Sequence, residues 1–183
     1  MESLNDIGLA ENTDKAALTE RGSHHYADLY ELLFRNWRNN SVSILEIGVL
    51  DGGSIRMWRR YFPNSKVTAI DVLDNVKFDD PNIEFIHGDA YSEEVIYKLY
   101  ASGKTFDVML DDGDHRVETQ TIFLQRYSPM LNPQGILIIE DVITRDGAKI
   151  LKSNLPAGFS CATVEMSEGN SIIDSRLFIA YRK

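Results

Sequence analysis

The stretch Leu45-Glu46-Ile47-Gly48-Val49-Leu50-Asp51-Gly52-Gly53-Ser54 decides the fold. It closes a short apolar run, VSILEIGV at 42–49, rich in the β-branched residues that favour strands, and opens into SIRMWRRYF at 54–62, which has helical character. The reading is strand, tight turn, helix. Gly48 and Gly52 allow the backbone to turn sharply and to come close to a ligand. A helix starting near Gly53 and Ser54 directs its free N–H groups back at that turn. The pattern is acidic-x-Gly-x-x-x-Gly. A dinucleotide fingerprint, G-x-G-x-x-G, would require glycine where Leu50 stands.

Outward from this unit the alternation repeats. Strands are expected at 66–71 (KVTAID), 83–88 (IEFIHG), 106–112 (FDVMLDD) and 135–141 (GILIIED), with helices at 92–102, 117–131 and 147–153 between or after them. Upstream, Tyr26, Leu29, Tyr30, Leu33, Phe34 and Trp37 mark an amphipathic helix that Asn39, Asn40 and Ser41 end. Two final strands, 159–166 and 176–182, are joined by the mostly polar SEGNSIIDS, which permits a hairpin and an antiparallel last strand. Strands alternating with helices require a doubly wound, mostly parallel α/β sheet covered on both faces. No repeat or linker divides the chain, so one domain is expected: a polar arm or lid over 1–25 and the body over 26–183.

In such sheets ligands bind at the carboxyl ends of the strands. The first strand supplies Glu46, Gly48, Gly52, Gly53 and Ser54. The second ends at Asp71, where a carboxylate can accept from both hydroxyls of a ribose. The third ends in Gly88-Asp89-Ala90, and Asp89 can accept from an adenine amino group. Together these describe a nucleoside site.

The fourth strand ends in Asp111-Asp112-Gly113-Asp114-His115 and the fifth in Glu140-Asp141. Carboxylates this dense repel one another, and a bound cation relieves them. All-oxygen donors favour Mg²⁺, with Mn²⁺ or Ca²⁺ as substitutes. Neighbouring strand residues point to opposite faces. Asp111 with Asp112, and Glu140 with Asp141, therefore ligate together only if the chain leaves the pleat there. His115 stands beside this cluster, three residues after Asp112, where a neutral imidazole suits proton abstraction from a hydroxyl. Tyr26, Tyr30 and Trp58 are candidates for a pocket wall, with core packing the commoner role of such residues. Arg56, Arg59 and Arg60 share one helix face and are read as solvated.

Composition excludes other classes. The 183 residues carry 19 Lys and Arg against 28 Asp and Glu, a net charge of −9, which disfavours nucleic-acid and polybasic membrane binding. No run is apolar and long enough to span a bilayer, and the acidic N-terminus lacks the features of a signal peptide. The single cysteine, Cys161, cannot form an internal disulfide and reads as a small buried hydrophobe; the cytoplasm is the expected compartment. The oligomeric state stays open, a homo-oligomer included.

These residues resemble the class I S-adenosylmethionine-dependent methyltransferases. The narrower likeness is to the Mg²⁺-dependent sugar O-methyltransferases of macrolide biosynthesis, of the mycinamicin and tylosin type. It runs through Thr13-Asp14-Lys15, His25-Tyr26, Leu29 to Phe34, Leu45 to Val49, Gly52-Gly53-Ser54, Met57-Trp58, Tyr61-Phe62-Pro63, Asp111 to His115 and Ile139-Glu140-Asp141. The resemblance implies a Rossmann-like fold. It implies that Glu46, Gly48, Gly52 and Asp71 hold S-adenosylmethionine, that Asp112, Glu140 and Asp141 hold the metal, and that His115 is the base. Asp111 would serve the cofactor side or support the metal ligands. The acceptor implied is a hydroxyl of a sugar or other vicinal diol, with a catechol as the rival. A module that binds the cofactor without chemistry is the non-enzyme rival. Leu50 departs from a glycine common in class I members. The macrolide enzymes carry a large additional N-terminal domain, so a smaller or more exposed acceptor is expected here.

Overall fold

The computed structural model describes residues 1–17, 24–166 and 176–182. Helix α1 (Leu4–Ala10) opens the chain. Ser3 Oγ accepts from the Asp6 backbone N–H, and the Asp6 carboxylate accepts in return from the Ser3 N–H. That reciprocal cap stabilises a helix of barely two turns. Helix α2 (Tyr26–Phe34) follows and tightens into a 3₁₀ turn at Arg35–Trp37. The alternating body is β1 (Ser43–Ile47), α3 (Gly53–Tyr61), β2 (Lys66–Asp71), β3 (Ile83–His87), α4 (Glu93–Ala101), β4 (Phe106–Asp111), α5 (Val117–Tyr127), β5 (Leu131–Ile139), α6 (Arg145–Ser153), β6 (Phe159–Glu165) and β7 (Arg176–Arg182). The helix expected over 117–131 stops at Tyr127 and gives way to a 3₁₀ turn at Ser128–Met130, where Pro129 lacks the N–H that would continue it.

The sheet order is β3-β2-β1-β4-β5-β7-β6. The pairs from β3 to β5 are parallel, and β7 runs antiparallel to both β5 and β6. The doubly wound sheet with an antiparallel last strand is therefore present. The connection expected at SEGNSIIDS, 167–175, lies outside the described residues. β4 neighbours both β1 and β5, so β5 is one strand removed from β1.

Two apolar clusters cover the two faces. One joins Leu4, Ile7, Tyr30, Phe34 and Trp58 from α1, α2 and α3 to Ile44, Val108, Leu110 and Ile138 of the sheet. The other joins Val95, Leu99, Phe123, Tyr127 and Leu151 from α4, α5 and α6 to Leu45, Met109, Leu137 and Ile139. Consecutive residues of one strand thus serve opposite cores, which is why the central strands read as continuous apolar runs.

The first residues are more than a polar arm. Leu4 and Ile7 are fully buried against α2 and α3. Their spacing of three was too short a periodic signal to show against polar neighbours. Arg56 and Arg60 are ion-paired with Glu11 and Glu2, and Arg59 with Asp80, so the basic face of α3 fastens α1 and the loop before β3. Cys161 is only half-buried, on the edge strand β6.

Candidate active site

At the carboxyl end of β1 the chain turns through Gly48 (φ +87°) and Gly52 (φ +80°) before α3. A Cβ on Gly48 would stand 1.9 Å from the Asp112 carbonyl oxygen, so the loops after β1 and β4 touch through this glycine. Leu50, between the two, also has positive φ (52°) and is 56% exposed. This is the backbone geometry that glycine fits without strain.

A cavity of about 630 Å³ opens over these loops. Among the expected cofactor residues, Gly48, Gly53, Ser54, Asp71 and Asp89 line it, and Asp112 and His115 stand at the same wall. The volume suits a nucleoside-sized ligand. Asp71 Oδ2 accepts from the backbone N–H groups of Val49 and Leu50 at 2.7 and 3.1 Å, and Oδ1 from Leu73 at 2.9 Å. The carboxylate fixes the glycine loop and keeps lone pairs for a further donor. Asp89 holds the next turn by accepting from the Tyr91 N–H at 2.9 Å.

Glu46, Gly52 and Asp111 do not line the cavity. Strand alternation turns Glu46 into the α3 face of the sheet, fully buried. There it accepts from Ser54 Oγ and Trp58 Nε1, both at 2.5 Å. It reaches the cavity through Ser54. Asp111 turns the opposite way, toward α4, and accepts from the Tyr91 hydroxyl at 2.5 Å. Burial pushes its carboxyl up to about 7, and among the described residues its Oδ2 has no hydrogen-bond partner.

The same alternation separates Asp112 from Asp111. Asp112, His115 and Asp141 each offer one donor atom, all within 4.8 Å of one another. Asp141 joins because its φ of 51° takes it out of the pleat, and His115 because its φ of 59° turns the loop back. His115 Nε2 lies 3.2 Å from Asp112 Oδ1 and 3.5 Å from Asp141 Oδ2. The hydrogen bond to Asp112 raises the imidazole pKa above its ordinary value. The two carboxylates make an oxygen donor pair that fits Mg²⁺ or Mn²⁺, with the imidazole beside it.

Glu140 stays in the pleat and points beneath this group. Its Oε1 accepts from the Tyr30 hydroxyl and its Oε2 from Lys15 Nζ, both at 2.7 Å. Burial, with the nearby carboxylates, pushes its pKa well up against the pull of Lys15. Asp141 is raised too, by burial and by Asp112. For Asp112 burial acts upward, but the Lys15 charge and the His115 hydrogen bond outweigh it and hold the carboxyl low.

Lys15 is the residue that pattern reading left without a role, since a lone lysine in a polar segment carries no signal. It is 1% exposed, and its Nζ lies 2.5 Å from Asp112 Oδ2. Burial would lower its pKa, yet the charges of Asp112, Glu140 and Glu46 hold it well above the ordinary value. The aromatic candidates belong to the core, but their polar ends serve the acids. Tyr26 donates to Asp141 at 2.6 Å, Tyr30 to Glu140, and Trp58 to Glu46. His24 stacks on Tyr26, with its Nδ1 3.7 Å from Asp141 Oδ1.

Residues 26–167 match the model of the FtsJ-like methyltransferase family. The chain is 33% identical over 129 residues to mycinamicin VI 2''-O-methyltransferase of Micromonospora griseorubida, covering 66% of this chain and 32% of that protein. It is 31% identical over 144 residues to demethylmacrocin O-methyltransferase of Streptomyces fradiae, covering 74% and 36%. The chain thus spans about a third of the length of these curated relatives. Among solved structures, MycE methyltransferase in complex with Mg, SAH and mycinamycin VI superposes with a TM-score of 0.68 at 29% identity, over 76% of this chain and 39% of that one. From fold, strand-end residues and family match together, the chain belongs to the FtsJ-like methyltransferase family.

Proposed function

We propose that this chain is the catalytic part of an S-adenosylmethionine- and Mg²⁺-dependent O-methyltransferase acting on a hydroxyl of a sugar or other vicinal diol. One observation carries the reading: Asp112 and Asp141 converge beside His115, and Asp112 and His115 line the same cavity as Gly48, Asp71 and Asp89. The relatives named above support the acceptor class, because both are O-methyltransferases, one of them acting at a 2''-oxygen of mycinamicin VI. S-adenosylmethionine would supply an electrophilic methyl group. A divalent cation, when bound, would polarise the acceptor hydroxyls and lower their pKa.

The protein's own residues do the rest. Asp71 and the amides after β1 anchor the nucleoside end of the donor. Asp112 and Asp141, with Glu140 beneath them, hold the cation. His115 takes the hydroxyl proton at its other ring nitrogen, Nδ1, while Nε2–H donates to Asp112, so that Asp112 and Asp141 stabilise the resulting imidazolium. Lys15 and His24 reach this site from the N-terminal segment, and we assign 1–25 as a cover and 26–183 as the methyltransferase body. With a net charge of −9 and no helix among the described residues able to cross a membrane, we assign a small-molecule acceptor and the cytoplasm.

The test is transfer of labelled methyl from S-adenosylmethionine to simple glycosides and to catechols, with Mg²⁺ or with excess chelator. Glycoside labelling that chelator abolishes is expected. Labelling of catechols alone would move the acceptor class. Labelling undiminished by chelator would remove the metal.

A further inference from the structure

Lys15 brings an ammonium group to the ends of three adjacent strands. Its Nζ is 2.5 Å from Asp112 Oδ2, 2.7 Å from Glu140 Oε2 and 3.8 Å from Glu46 Oε1. Those carboxylates follow β4, follow β5 and lie in β1. An ammonium carries three N–H donors and no acceptor. Two of them go to residues that the sequence assigns to the metal. Asp112 is divided: Oδ2 faces Lys15, while Oδ1 faces His115 on the side where Asp141 lies. Lys15 is held from its own side as well, since its backbone carbonyl accepts from the Ala27 N–H at 2.8 Å, which ties it to the first turn of α2.

We propose that Lys15 is a built-in counter-ion that competes with the divalent cation for Asp112 and Glu140. The proposal rests on the metal reading above. In the metal-free protein the ammonium neutralises part of a buried acidic cluster, which would otherwise be an uncompensated charge in a poorly solvating interior. A cation placed against the same carboxylates meets the ammonium at close range, and like charges a few ångströms apart repel strongly where water is excluded. Lys15 therefore does two opposite things: it stabilises the fold without metal and weakens the metal's hold.

The experiment measures Mn²⁺ binding by calorimetry and thermal unfolding in chelator and in Mg²⁺, for the wild-type chain and Lys15→Met. Methionine keeps most of the length and removes the charge. The variant should bind Mn²⁺ about tenfold more tightly or better. It should unfold at a lower temperature in chelator and regain more of its stability in Mg²⁺ than the wild type gains. Equal or weaker Mn²⁺ binding by the folded variant overturns the proposal. No Mn²⁺ binding by the wild-type chain overturns the metal centre itself, a separate result. If Lys15→Met folds in neither condition, the wild-type chain decides. The Lys15 ammonium signal in a ¹H–¹⁵N side-chain spectrum, assigned by its loss in Lys15→Arg, should move when Mg²⁺ is added. A signal that stays fixed at saturating Mg²⁺ overturns the proposal.

Discussion

Substituting Gly48 by alanine adds one methyl group, and the structure states what it meets. The new Cβ would lie 1.9 Å from the Asp112 carbonyl oxygen and 2.6 Å from its carbon. Real Cβ atoms stay beyond 3.0 Å, so the gap must open by at least 3.0 − 1.9 = 1.1 Å. The obstacle is backbone, held in place by the hydrogen bond from the Asp112 N–H to the Ile47 carbonyl at 2.9 Å. The φ of +87° adds strain of its own. A left-handed non-glycine residue costs about 1–2 kcal/mol and overpacking about 1–3 kcal/mol, so destabilisation of about 2–5 kcal/mol is expected. In a chain of this size that lowers Tm by roughly 5–15 °C. The displaced residue is a proposed metal ligand, and a misplacement of about 1 Å costs on the order of 10²-fold in rate. Gly48→Ala should therefore weaken S-adenosylhomocysteine and Mn²⁺ binding together, read by calorimetry beside a thermal melt. Wild-type Tm with wild-type affinity for both would refute the contact between the two loops.

Further expectations follow from single residues. Asp71→Ala should weaken S-adenosylhomocysteine binding by about 1.5–3 kcal/mol in calorimetry, as loss of a charged acceptor does; unchanged affinity in folded protein would take Asp71 out of the site. His115→Ala should keep both cofactor and Mn²⁺ affinity while the methylation rate falls roughly 10²–10⁴-fold, a loss that shrinks as pH rises; a variant that loses Mn²⁺ instead would make the imidazole a ligand. Leu50→Gly should leave Tm unchanged or raise it, by at most about 1 kcal/mol of stability, because glycine removes left-handed strain but adds unfolded-state freedom; a large drop in Tm would contradict the φ of 52°. Asp111 has its pKa raised to about 7 by burial, so the folded protein binds more protons than the unfolded chain between the ordinary aspartate value and that point. Its contribution is therefore present in acid and lost as pH rises through about 7, and Asp111→Asn should narrow the Tm difference between about pH 5 and about pH 8 in chelator. An unaltered pH profile would show that Asp111 does not titrate there.

How far the sequence could be read follows from the kind of signal each residue leaves. The strand–turn–helix at 43–61 and the parallel core were legible because burial on both faces writes continuous apolar runs, and Gly48 and Gly52 mark the turn. Asp71 and Asp89 were found by position, at strand ends. Whether Asp111 or Asp112 joins Asp141 was not legible, since it depends on pleat phase and on the positive φ of Asp141 and His115. Glu46 was placed on the right strand, but its burial under Ser54 and Trp58 is a matter of strand facing that motif spacing does not record. Helix α1 escaped notice because only Leu4 and Ile7 carry its apolar face. Lys15 pairs across 97 and 125 residues of chain, a separation that leaves no local pattern.

The central claim is that one cavity seats the methyl donor beside a metal centre at the ends of β4 and β5. A crystal of the full chain grown with S-adenosylhomocysteine and Mg²⁺ tests it most directly. The account predicts the nucleoside between the Gly48 loop, Asp71 and Asp89, and an ion touching carboxylate oxygens of Asp112 and Asp141 at about 2.1 Å. A nucleoside bound elsewhere, or these carboxylates unchanged and free of metal beside a fully occupied cofactor, would contradict it.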